Sequence, residues 1–429
     1  MTDALEITPV YGPLRGRIRP PGSKSITNRA LVCAALADGN STLRGALASE
    51  DTHVMAEALR QLGVSVQGEA EVLQIRGCGG AIPATQAELF VANSGTSMRF
   101  LTALAALGQG KFRIDGTPRM RQRPIDDLLA GLAQLGVHAE SELDNSCPPV
   151  LVHAAGLLGG KATVRGDVSS QFLSGLLMAA PYASRRIELT VDGPLVSQPY
   201  VRLTLGVMRS FGIDLPEHDL NHFVVPTGHY RGRVYDIEPD ATAASYFFAA
   251  AAICGGEVTV DGLARDSSQG DVAFCDSLAK MGCNVRYESN SITVSGPPSG
   301  GRLRGVSVNM NAISDTAQTL AAVALFADNP TIITGIGHIR HKETDRIGNL
   351  AIELRKLGAE IDELDDGLRI IPRPLHGATI ETYRDHRMAM SLALVGLRLP
   401  GVVILDPQCT AKTYPRFFDD LATLVQSSE

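Results

Sequence analysis

The chain has 429 residues, more than the about 250–300 at which a single hydrophobic core stops growing, so we expect two domains. Hydrophobic residues make up 44% of it and charged residues 20%, which excludes an intrinsically disordered chain. The net charge of −7 argues against a chain-wide surface for nucleic acid, so any anion site must be a local group of cations.

Nothing in the sequence indicates a membrane segment or a cofactor site. The first seven residues are acidic where a targeting signal would be basic, and no apolar run approaches the about 18 residues of a membrane span, so we expect a cytoplasmic protein. The seven cysteines include no CxxC pair, which favours reduced, structural thiols. No spacing of histidines or cysteines predicts a metal site, and no glycine-rich turn predicts a dinucleotide site.

Taken in chain order, one pattern recurs six times: a polar cluster, an Ala- and Leu-rich helix, a β-branched strand, and a second helix that stops at a glycine. The strands after the first helices are predicted at 41–45, 111–116, 187–193, 257–262, 331–335 and 402–406. The second helices stop at glycines 70–76 residues apart, namely Gly63, Gly136, Gly212, Gly282 and Gly358. The pattern predicts an α+β fold of six βαβαββ repeats, three in each domain, with a break near 236–239.

The polar cluster that opens each repeat contains residue types that typically cap helices. The clusters are 22–25, 93–96, 169–171, 240–242, 315–316 and 385–387, and most of them are predicted to supply a side-chain cap. Capping alone would explain any single cluster. Cations such as Lys24, Arg99 and Arg387 also lie at these starts, where the positive end of the helix dipole favours anions. The set therefore predicts a site for a phosphate or a carboxylate.

Two further stretches are basic, 119–124 and 338–346. Exposed salt-bridge networks would explain both of them. The charges are bunched between apolar runs, however, which favours a contribution to an anion site. A single lysine near the end, Lys412, carries no prediction by itself.

The chain resembles the 5-enolpyruvylshikimate-3-phosphate synthase family, also called 3-phosphoshikimate 1-carboxyvinyltransferases. The resemblance covers the whole chain and rests on PGSKSITNR (21–29), RPI (123–125), SSQ (169–171), SQPY (197–200), KETDR (342–346), DHRMAM (385–390) and CTAKTYP (409–415). It implies a two-domain inverse α/β barrel whose N-terminal strand region joins the second domain. The implied domains are 21–239, mainly for shikimate 3-phosphate, and 1–20 plus 240–429, mainly for phosphoenolpyruvate and the catalytic carboxylates, with the active site in the interdomain cleft.

The resemblance also implies an activity: transfer of the enolpyruvyl group of phosphoenolpyruvate to the 5-hydroxyl of shikimate 3-phosphate, with release of phosphate. This reaction leads to chorismate and the aromatic amino acids and is the target of glyphosate. The implied partners are these two small molecules, without nucleic acid, membrane, metal or cofactor, and the implied state is a monomer.

Matching each position to the family's motifs implies the site residues. Those for shikimate 3-phosphate are Lys24, Ser25, Arg29, Ser169, Ser170, Gln171, Ser197, Tyr200, Asp315, His338 and Lys342. Those for phosphoenolpyruvate are Lys24, Gly95, Arg123, Gln171, Arg346, His386, Arg387 and Lys412. The implied catalytic residues are Lys24 as proton donor and phosphate clamp, Glu343 and Asp315 as the proton acceptors for addition and elimination or the reverse, and His386.

Two positions depart from the family's pattern. His338 stands where members often have Asn, and Phe100 follows Arg99 where many have Pro. Because Phe100 lies beside the glycine expected to line the phosphoenolpyruvate pocket, we expect a modestly reshaped pocket with altered glyphosate sensitivity.

Three rival functions differ in their sequence requirements. The sister transferase that acts on UDP-N-acetylglucosamine carries a cysteine before its Arg-Pro, and 115–123 contains none. The RNA 3′-terminal phosphate cyclases share a related repeat, but nothing here resembles their nucleotide-binding motifs. A non-catalytic anion-binding scaffold would not need Asp315, Glu343 and His386 beside the cations.

Overall fold

The computed structural model describes residues 3–68, 71–216, 219–297 and 301–426. The chain divides into two units. The middle unit is Gly22–Ile237, and the terminal unit combines Met1–Pro21 with Glu238–Glu429. No helix among the described residues combines the length and the apolar character needed to cross a membrane.

Strands and helices are numbered along the chain. The strands are β1 (Ala4–Glu6), β2 (Leu14–Ile18), β3 (Asn40–Arg44), β4 (Ser65–Gln67), β5 (Val72–Arg76), β6 (Gln86–Phe90), β7 (Gln109–Asp115), β8 (His138–Ser141), β9 (Val150–Ala155), β10 (Gly160–Arg165), β11 (Ile187–Asp192), β12 (His222–Val225), β13 (Val234–Asp236), β14 (Gly256–Asp261), β15 (Asn284–Tyr287), β16 (Ser291–Ser295), β17 (Ser307–Asn309), β18 (Thr331–Thr334), β19 (Glu360–Leu364), β20 (Gly367–Ile371), β21 (Thr379–Ile380) and β22 (Val403–Leu405). The α-helices are α1 (Lys24–Leu36), α2 (Glu50–Gln61), α3 (Gly95–Ala105), α4 (Asp126–Gln134), α5 (Ser170–Ala179), α6 (Gln198–Ser210), α7 (Ala241–Cys254), α8 (Phe274–Lys280), α9 (Ala317–Ala324), α10 (Gly348–Lys356), α11 (His386–Gly396) and α12 (Phe417–Gln426). Short 3-10 helices cover Met120–Gln122, Ala180–Tyr182, Gly270–Ala273, Asn311–Thr316, Gly337–His341 and Pro407–Lys412.

The described strands form small mixed sheets, three in each unit. Their strand orders are β13-β3-β5-β4, β6-β7-β9-β8 and β10-β11-β12 in the middle unit, and β15-β16-β14-β2, β17-β18-β20-β19 and β1-β22-β21 in the terminal unit. Each sheet contains one parallel pair, and its other pairs are antiparallel. A parallel pair requires a crossover connection, and α3 supplies it between β6 and β7. The predicted βαβαββ repeat is confirmed in the four sheets with four strands, and the β10-β11-β12 and β1-β22-β21 sheets have three described strands each.

The first sheet of each unit takes a strand from a distant part of the chain. In the middle unit, β13 pairs with β3 so that Val234 lies opposite Thr42. In the terminal unit, β2 pairs with β14 so that Leu14 lies opposite Gly256. The short strand β1 also pairs with β22 near the other end of the chain. The N-terminal strands therefore belong to the terminal unit.

Each repeat contributes one inner helix, namely α1, α3, α5, α7, α9 or α11, and one outer helix. All 14 residues of α7 are buried, as its apolar sequence on every side predicts. By contrast, the outer helix α12 buries only Phe417, Leu421 and Leu424, which share one face. The five predicted stop glycines have φ angles of 86–102°, the left-handed conformation expected just after a helix.

The inner helices of each unit contact one another through side chains of their first six residues. In the terminal unit, Ser245 on α7 donates to Thr319 on α9 at 3.3 Å, and Thr319 lies 3.3 Å from Ser391 on α11. In the middle unit, the side-chain amide of Gln171 on α5 donates to Thr96 on α3 at 3.3 Å. The helix dipoles therefore direct their positive ends to a common side within each unit.

The prediction that most of the polar clusters cap their helices is confirmed. The side chains of the N-cap residues accept backbone N–H groups in five inner helices, at Ser23, Ser94, Ser169, Asp240 and Asp385. The exception is α9, which follows the 3-10 helix Asn311–Thr316 and has no side-chain cap. The carboxylate of Asp315 contacts Lys342 and two arginines instead, because charged partners attract it more strongly than a backbone amide does.

Candidate active site

The open end of α1 presents Lys24. All residues of α1 are buried except Lys24 and Ser25, which begin the helix. The ammonium of Lys24 lies 3.6 Å from the carboxylate of Asp51, a buried residue in the first turn of α2. The backbone carbonyl of Asp51 also accepts the hydroxyl of Ser97 on α3 at 3.5 Å. Asp51 therefore connects the lysine to a second inner helix.

Arg29 is held by neighbours on three elements. Its Nε donates to Thr204 on α6 at 2.7 Å, and its Nη atoms donate to the carbonyls of Ser25 at 2.9 Å and Tyr200 at 3.2 Å. The guanidinium carbon lies 5.2 Å from the centre of the Phe100 ring, within the range of a cation–π contact. Burial lowers the pKa of Arg29 to about 10, so it remains a cation at neutral pH.

The start of α3 brings Gly95 against Arg123. A Cβ atom on Gly95 would lie 2.3 Å from Nη2 of Arg123, so only glycine admits the guanidinium at this distance. Arg123 is buried and donates to the backbone carbonyl of Asn93 at 3.1 Å. The guanidinium thus lies against the first residues of a helix whose positive end favours an anion.

The remaining predicted residues of the middle unit lie at the starts of α5 and α6. Ser169 caps α5, Ser170 begins it, and Gln171 is the residue of α5 that is not buried. Ser197 precedes α6 with a φ of 55°, in the left-handed region that is uncommon for residues other than glycine. Tyr200, in the first turn of α6, connects this group to Arg29 through its carbonyl.

In the terminal unit, Arg346 lies at the centre of an ion-pair network that we call the terminal cluster. Its members are Asp315, Lys342, Glu343, Arg346, Asp385, Arg387 and Lys412. The guanidinium of Arg346 is fully buried and contacts Asp385 at 2.7 Å, Glu343 at 2.8 Å and Asp315 at 3.2 Å. Burial opposes its charge, but the three carboxylates raise the pKa of Arg346 above its ordinary value.

Asp315 collects further cations. Lys342 lies 2.5 Å from Oδ1 of Asp315, and Arg387 lies 2.8 Å from Oδ2. Burial lowers the pKa of Lys342 below its ordinary value, against the opposing attraction of Asp315. Arg387 also approaches the hydroxyl of Tyr246 on α7 at 3.4 Å, and burial raises the pKa of this phenol to about 12. Tyr246 is therefore a neutral partner of Arg387 at physiological pH.

His338 lies beside the same residues. Its Nε2 is 2.9 Å from the hydroxyl of Ser314, which also receives a bond from Lys342 at 3.5 Å. Burial lowers the pKa of His338 to about 3, and the charge of Lys342 acts in the same direction. The imidazole is therefore neutral at pH 7.

Glu343, Lys412 and His386 complete the predicted set. Glu343 is buried, with its second oxygen 4.0 Å from the ammonium of Lys412. His386 begins α11 and is fully buried, with Nδ1 3.6 Å from Asp385. The terminal cluster thus holds four cationic side chains and three carboxylates next to an imidazole. Such a site can bind an anion and move protons beside it.

The turn before α11 has an unusual backbone. Tyr383 and Arg384 have φ angles of 53° and 56°. Left-handed conformations of residues other than glycine cost about 1–3 kcal/mol each and persist where the surroundings hold them. The next residues are Asp385, His386 and Arg387, so the strained turn leads directly into the terminal cluster.

The two basic stretches do not behave as single groups. In 119–124, the exposed Arg121 forms a salt bridge with the buried carboxylate of Asp115 at 2.7 Å, whereas the side chain of Arg123 is buried. In 338–346, Arg340 pairs with Asp345 at 2.9 Å, whereas Lys342 and Arg346 join the terminal cluster.

The predicted site residues fall into two groups, one in each unit. Lys24, Ser25, Arg29, Gly95, Arg123, Ser169, Ser170, Gln171, Ser197 and Tyr200 belong to the middle unit, and Asp315, His338, Lys342, Glu343, Arg346, His386, Arg387 and Lys412 belong to the terminal unit. Sequence reasoning missed the contributions of Asp51, Thr204, Tyr246 and Asp385. For Asp385 the sequence contains a signal, because this residue directly precedes His386 and Arg387.

Comparison with known proteins identifies the family. The model of the EPSP synthase family (3-phosphoshikimate 1-carboxyvinyltransferase) matches residues 10–421. A 3-phosphoshikimate 1-carboxyvinyltransferase of Trichormus variabilis is 47% identical over 419 residues, which cover 97% of this chain and 98% of the relative. The chloroplastic 3-phosphoshikimate 1-carboxyvinyltransferase of Arabidopsis thaliana is 45% identical over 439 aligned positions, covering 97% of this chain and 84% of the relative.

Solved structures agree in fold. An EPSP synthase from Acinetobacter baumannii superposes with a TM-score of 0.81 at 26% identity, covering 99% of this chain and 98% of that one. The enolpyruvyl transferase NikO from Streptomyces tendae gives a TM-score of 0.77 at 20% identity and therefore supports the fold alone. The predicted two-domain α+β fold is confirmed, and the chain belongs to the EPSP synthase (3-phosphoshikimate 1-carboxyvinyltransferase) family.

Proposed function

We propose that this chain transfers the enolpyruvyl group of phosphoenolpyruvate to the 5-hydroxyl of shikimate 3-phosphate and releases phosphate. The observation that carries the proposal is the pairing of Asp315 and Glu343 with one buried guanidinium, that of Arg346. Two potential proton acceptors are thereby fixed beside cations that can hold a phosphate and a carboxylate. The family to which the chain belongs is named for the same reaction.

Binding of shikimate 3-phosphate is assigned mainly to the middle unit. Its phosphate would meet helix N-termini and the cations Lys24 and Arg29, together with the hydroxyls of Ser169 and Ser170. Because Arg29 is already held by Thr204 and two carbonyls, little side-chain freedom would be lost on binding. From the terminal unit, Asp315, His338 and Lys342 are assigned to the sugar.

We assign the binding of phosphoenolpyruvate to cations of both units, so residues of both units would bind the same pair of substrates. In the middle unit these are Lys24 and Arg123, with Gly95 and Gln171. In the terminal unit they are Arg346, Arg387 and Lys412, with His386. The cations would also stabilise the negative charge that moves onto the departing phosphate.

The proposed reaction has two stages. In the addition, the methylene carbon of phosphoenolpyruvate gains a proton, the sugar hydroxyl loses one, and a bond forms between that oxygen and C2. In the elimination, the bond from C2 to the phosphate oxygen breaks and the new methyl group loses a proton, which restores the double bond. Lys24 is assigned as proton donor, Glu343 as acceptor from the hydroxyl and Asp315 as acceptor from the methyl group, or these two in reverse.

The test is phosphate release from phosphoenolpyruvate with shikimate 3-phosphate, with UDP-N-acetylglucosamine, and with neither acceptor. We expect release with shikimate 3-phosphate only. Phosphate release with UDP-N-acetylglucosamine only would assign the chain to that acceptor. No phosphate release with either acceptor would indicate a protein that binds anions without turnover.

We also propose that one copy of the chain is sufficient for activity, since every assigned residue comes from one chain. Light scattering coupled to size exclusion, at the concentration of the activity assay, should give a mass near 45.5 kDa. A larger mass for the active fraction would contradict the monomer.

A further inference from the structure

The turn that leads into α11 has a backbone that its residues disfavour. The amide of Asp385 donates to the carbonyl of Thr382 at 2.8 Å, which closes a four-residue β-turn. Its two central residues, Tyr383 and Arg384, both have positive φ angles, 53° and 56°. Turns with positive φ at both central positions are dominated by Gly, Asn and Asp. Something outside the turn must therefore hold Tyr and Arg in this conformation.

Glu353 on α10 supplies that support. Its side chain is fully buried, and it accepts the hydroxyl of Tyr383 at 2.6 Å and the amide of Glu381 at 3.1 Å. The ammonium of Lys356 contacts the same carboxylate at 2.8 Å. A carboxylate that receives charged and neutral donors at short distances is a strong acceptor. The turn is therefore attached to α10 at its first central residue and at the residue before the turn.

The segment before α10 makes a second attachment to the same turn. Arg346 lies two residues before α10, and its guanidinium bonds both oxygens of Asp385, the last residue of the turn. The two attachments start seven positions apart in sequence, at Arg346 and Glu353. Together they fix the turn from which His386 and Arg387 emerge.

We propose that Glu353 is a positioning residue for the reaction, which acts through Tyr383 by holding the strained turn that orients Asp385, His386 and Arg387. In this proposal the side chain of Glu353 does not contact the substrates. Its contribution is to keep the cations and the imidazole at the distances that the reaction requires. The inference rests on the proposed function for its kinetic test, but its backbone test does not depend on activity.

The kinetic test compares Glu353→Gln and Tyr383→Phe with the native chain. Displacement of a catalytic group by about 1 Å can lower the rate about 100-fold, so we expect kcat/KM for phosphoenolpyruvate to fall about 10- to 100-fold in both variants. The KM for shikimate 3-phosphate should change less than about twofold, because most groups assigned to it lie in the middle unit. Native-level kcat/KM in both variants would overturn the proposal.

Matched controls come from exposed pairs of the same unit. Glu360 pairs with Arg373 at 2.6 Å, and the hydroxyl of Tyr287 approaches Asp276 at 3.4 Å. Glu360→Gln and Tyr287→Phe make the same chemical changes away from the turn, and we expect native kinetics for both. A decrease equal to that of Glu353→Gln would show a general effect of losing such contacts and would overturn the proposal.

A suppressor separates positioning from a simple loss of stability. Arg384 is exposed, and a glycine at position 384 would adopt the positive φ angle without the clash of a Cβ atom. If Glu353 acts by holding the strained turn, Arg384→Gly should restore kcat/KM of the Glu353→Gln variant by at least about fivefold. A double variant no more active than Glu353→Gln would contradict the proposal.

Hydrogen exchange gives the test that does not depend on activity. The amide of Asp385 is protected by its bond to Thr382, so it should exchange faster in Glu353→Gln and more slowly again once Arg384→Gly is added. Unchanged exchange at Asp385 would overturn the proposal whatever the kinetics. An inactive native chain with the expected exchange pattern would instead contradict the proposed function alone.

Discussion

Arg346 and Asp385 form a two-bond ion pair that is excluded from solvent. Nε donates to Oδ2 at 2.7 Å and Nη2 donates to Oδ1 at 3.1 Å, with the two side chains 1% and 0% exposed. Asp385 also caps α11 by accepting the amide of Arg387 at 2.9 Å. The carboxylate of Asp385 therefore holds Arg346, the central arginine of the terminal cluster, and also caps α11, the helix that carries His386 and Arg387.

Replacement of this carboxylate should lower stability strongly. Removing one partner of a buried pair typically costs about 3–5 kcal/mol when the other charge is left unpaired. Arg346 keeps Glu343 and Asp315 as partners in Asp385→Ala, so we expect the free energy of unfolding to fall by at most about 3–5 kcal/mol, with the lost cap of α11 included. Denaturant unfolding of the native and variant chains measures the difference. Asp362→Ala breaks an exposed pair with Arg369 in the same unit and should have little effect. Equal losses of unfolding free energy in Asp385→Ala and Asp362→Ala would contradict the idea that the buried ion pair matters more for stability than the exposed one.

Glu343 should be needed for turnover more than for binding. Positioned acid–base groups contribute about 10²–10⁴-fold, so we expect Glu343→Ala to lose that factor in kcat while still binding shikimate 3-phosphate, as measured by calorimetry. Glu363→Ala is a suitable control because Glu363 contacts Arg340 at 2.9 Å, outside the terminal cluster. Turnover of Glu343→Ala close to that of the control would refute a role in proton transfer.

Phe100 should affect the substrate that Arg29 is proposed to bind. A cation–π contact contributes about 0.5–2 kcal/mol, so Phe100→Leu should raise the KM for shikimate 3-phosphate by about 2- to 30-fold. Phe112→Leu makes the same change at another fully buried position of the middle unit and controls for lost packing. Steady-state kinetics of the two variants measures the KM of each for shikimate 3-phosphate. Equal KM values for Phe100→Leu and Phe112→Leu would contradict a contribution of the cation–π contact to binding.

The features that the sequence predicted are those that neighbouring residues determine. The five stop glycines and the five side-chain caps depend on backbone conformation within a few residues. The positions of the glycines were predicted correctly, and five of the six predicted polar clusters contain the residue that caps the helix. The strands after the inner helices were predicted to within two residues at their starts, because β-branched runs ended by a turn are local signals.

Contacts between distant residues could not be predicted in the same way. Arg121 and Arg123 are two positions apart, yet the side chain of Arg121 is exposed and that of Arg123 is buried against a carbonyl, because the folded loop decides which side chain is buried. Likewise, Asp315 lies in a polar cluster at the start of a predicted helix, but its partners are Lys342, 27 positions away, and Arg387, 72 positions away. Sequence alone gives the residue types of such a network and not its pairings.

His338 should make the folded protein sensitive to acid. Burial lowers its pKa from 6.5 to about 3, so below pH 6.5 the unfolded chain binds a proton that the folded chain does not. Stability from this residue is complete above pH 6.5 and falls toward pH 3, with a slope that approaches about 1.4 kcal/mol per pH unit.

The native chain should therefore lose more unfolding free energy between pH 6.5 and pH 5 than His338→Asn does, as measured by urea unfolding at each pH. His376→Asn, at an exposed position of the same unit, should follow the native chain. Parallel pH dependence of the native chain and His338→Asn would show that His338 titrates normally. The imidazole would then be partly charged near pH 6.5 and could not be a neutral partner of Ser314.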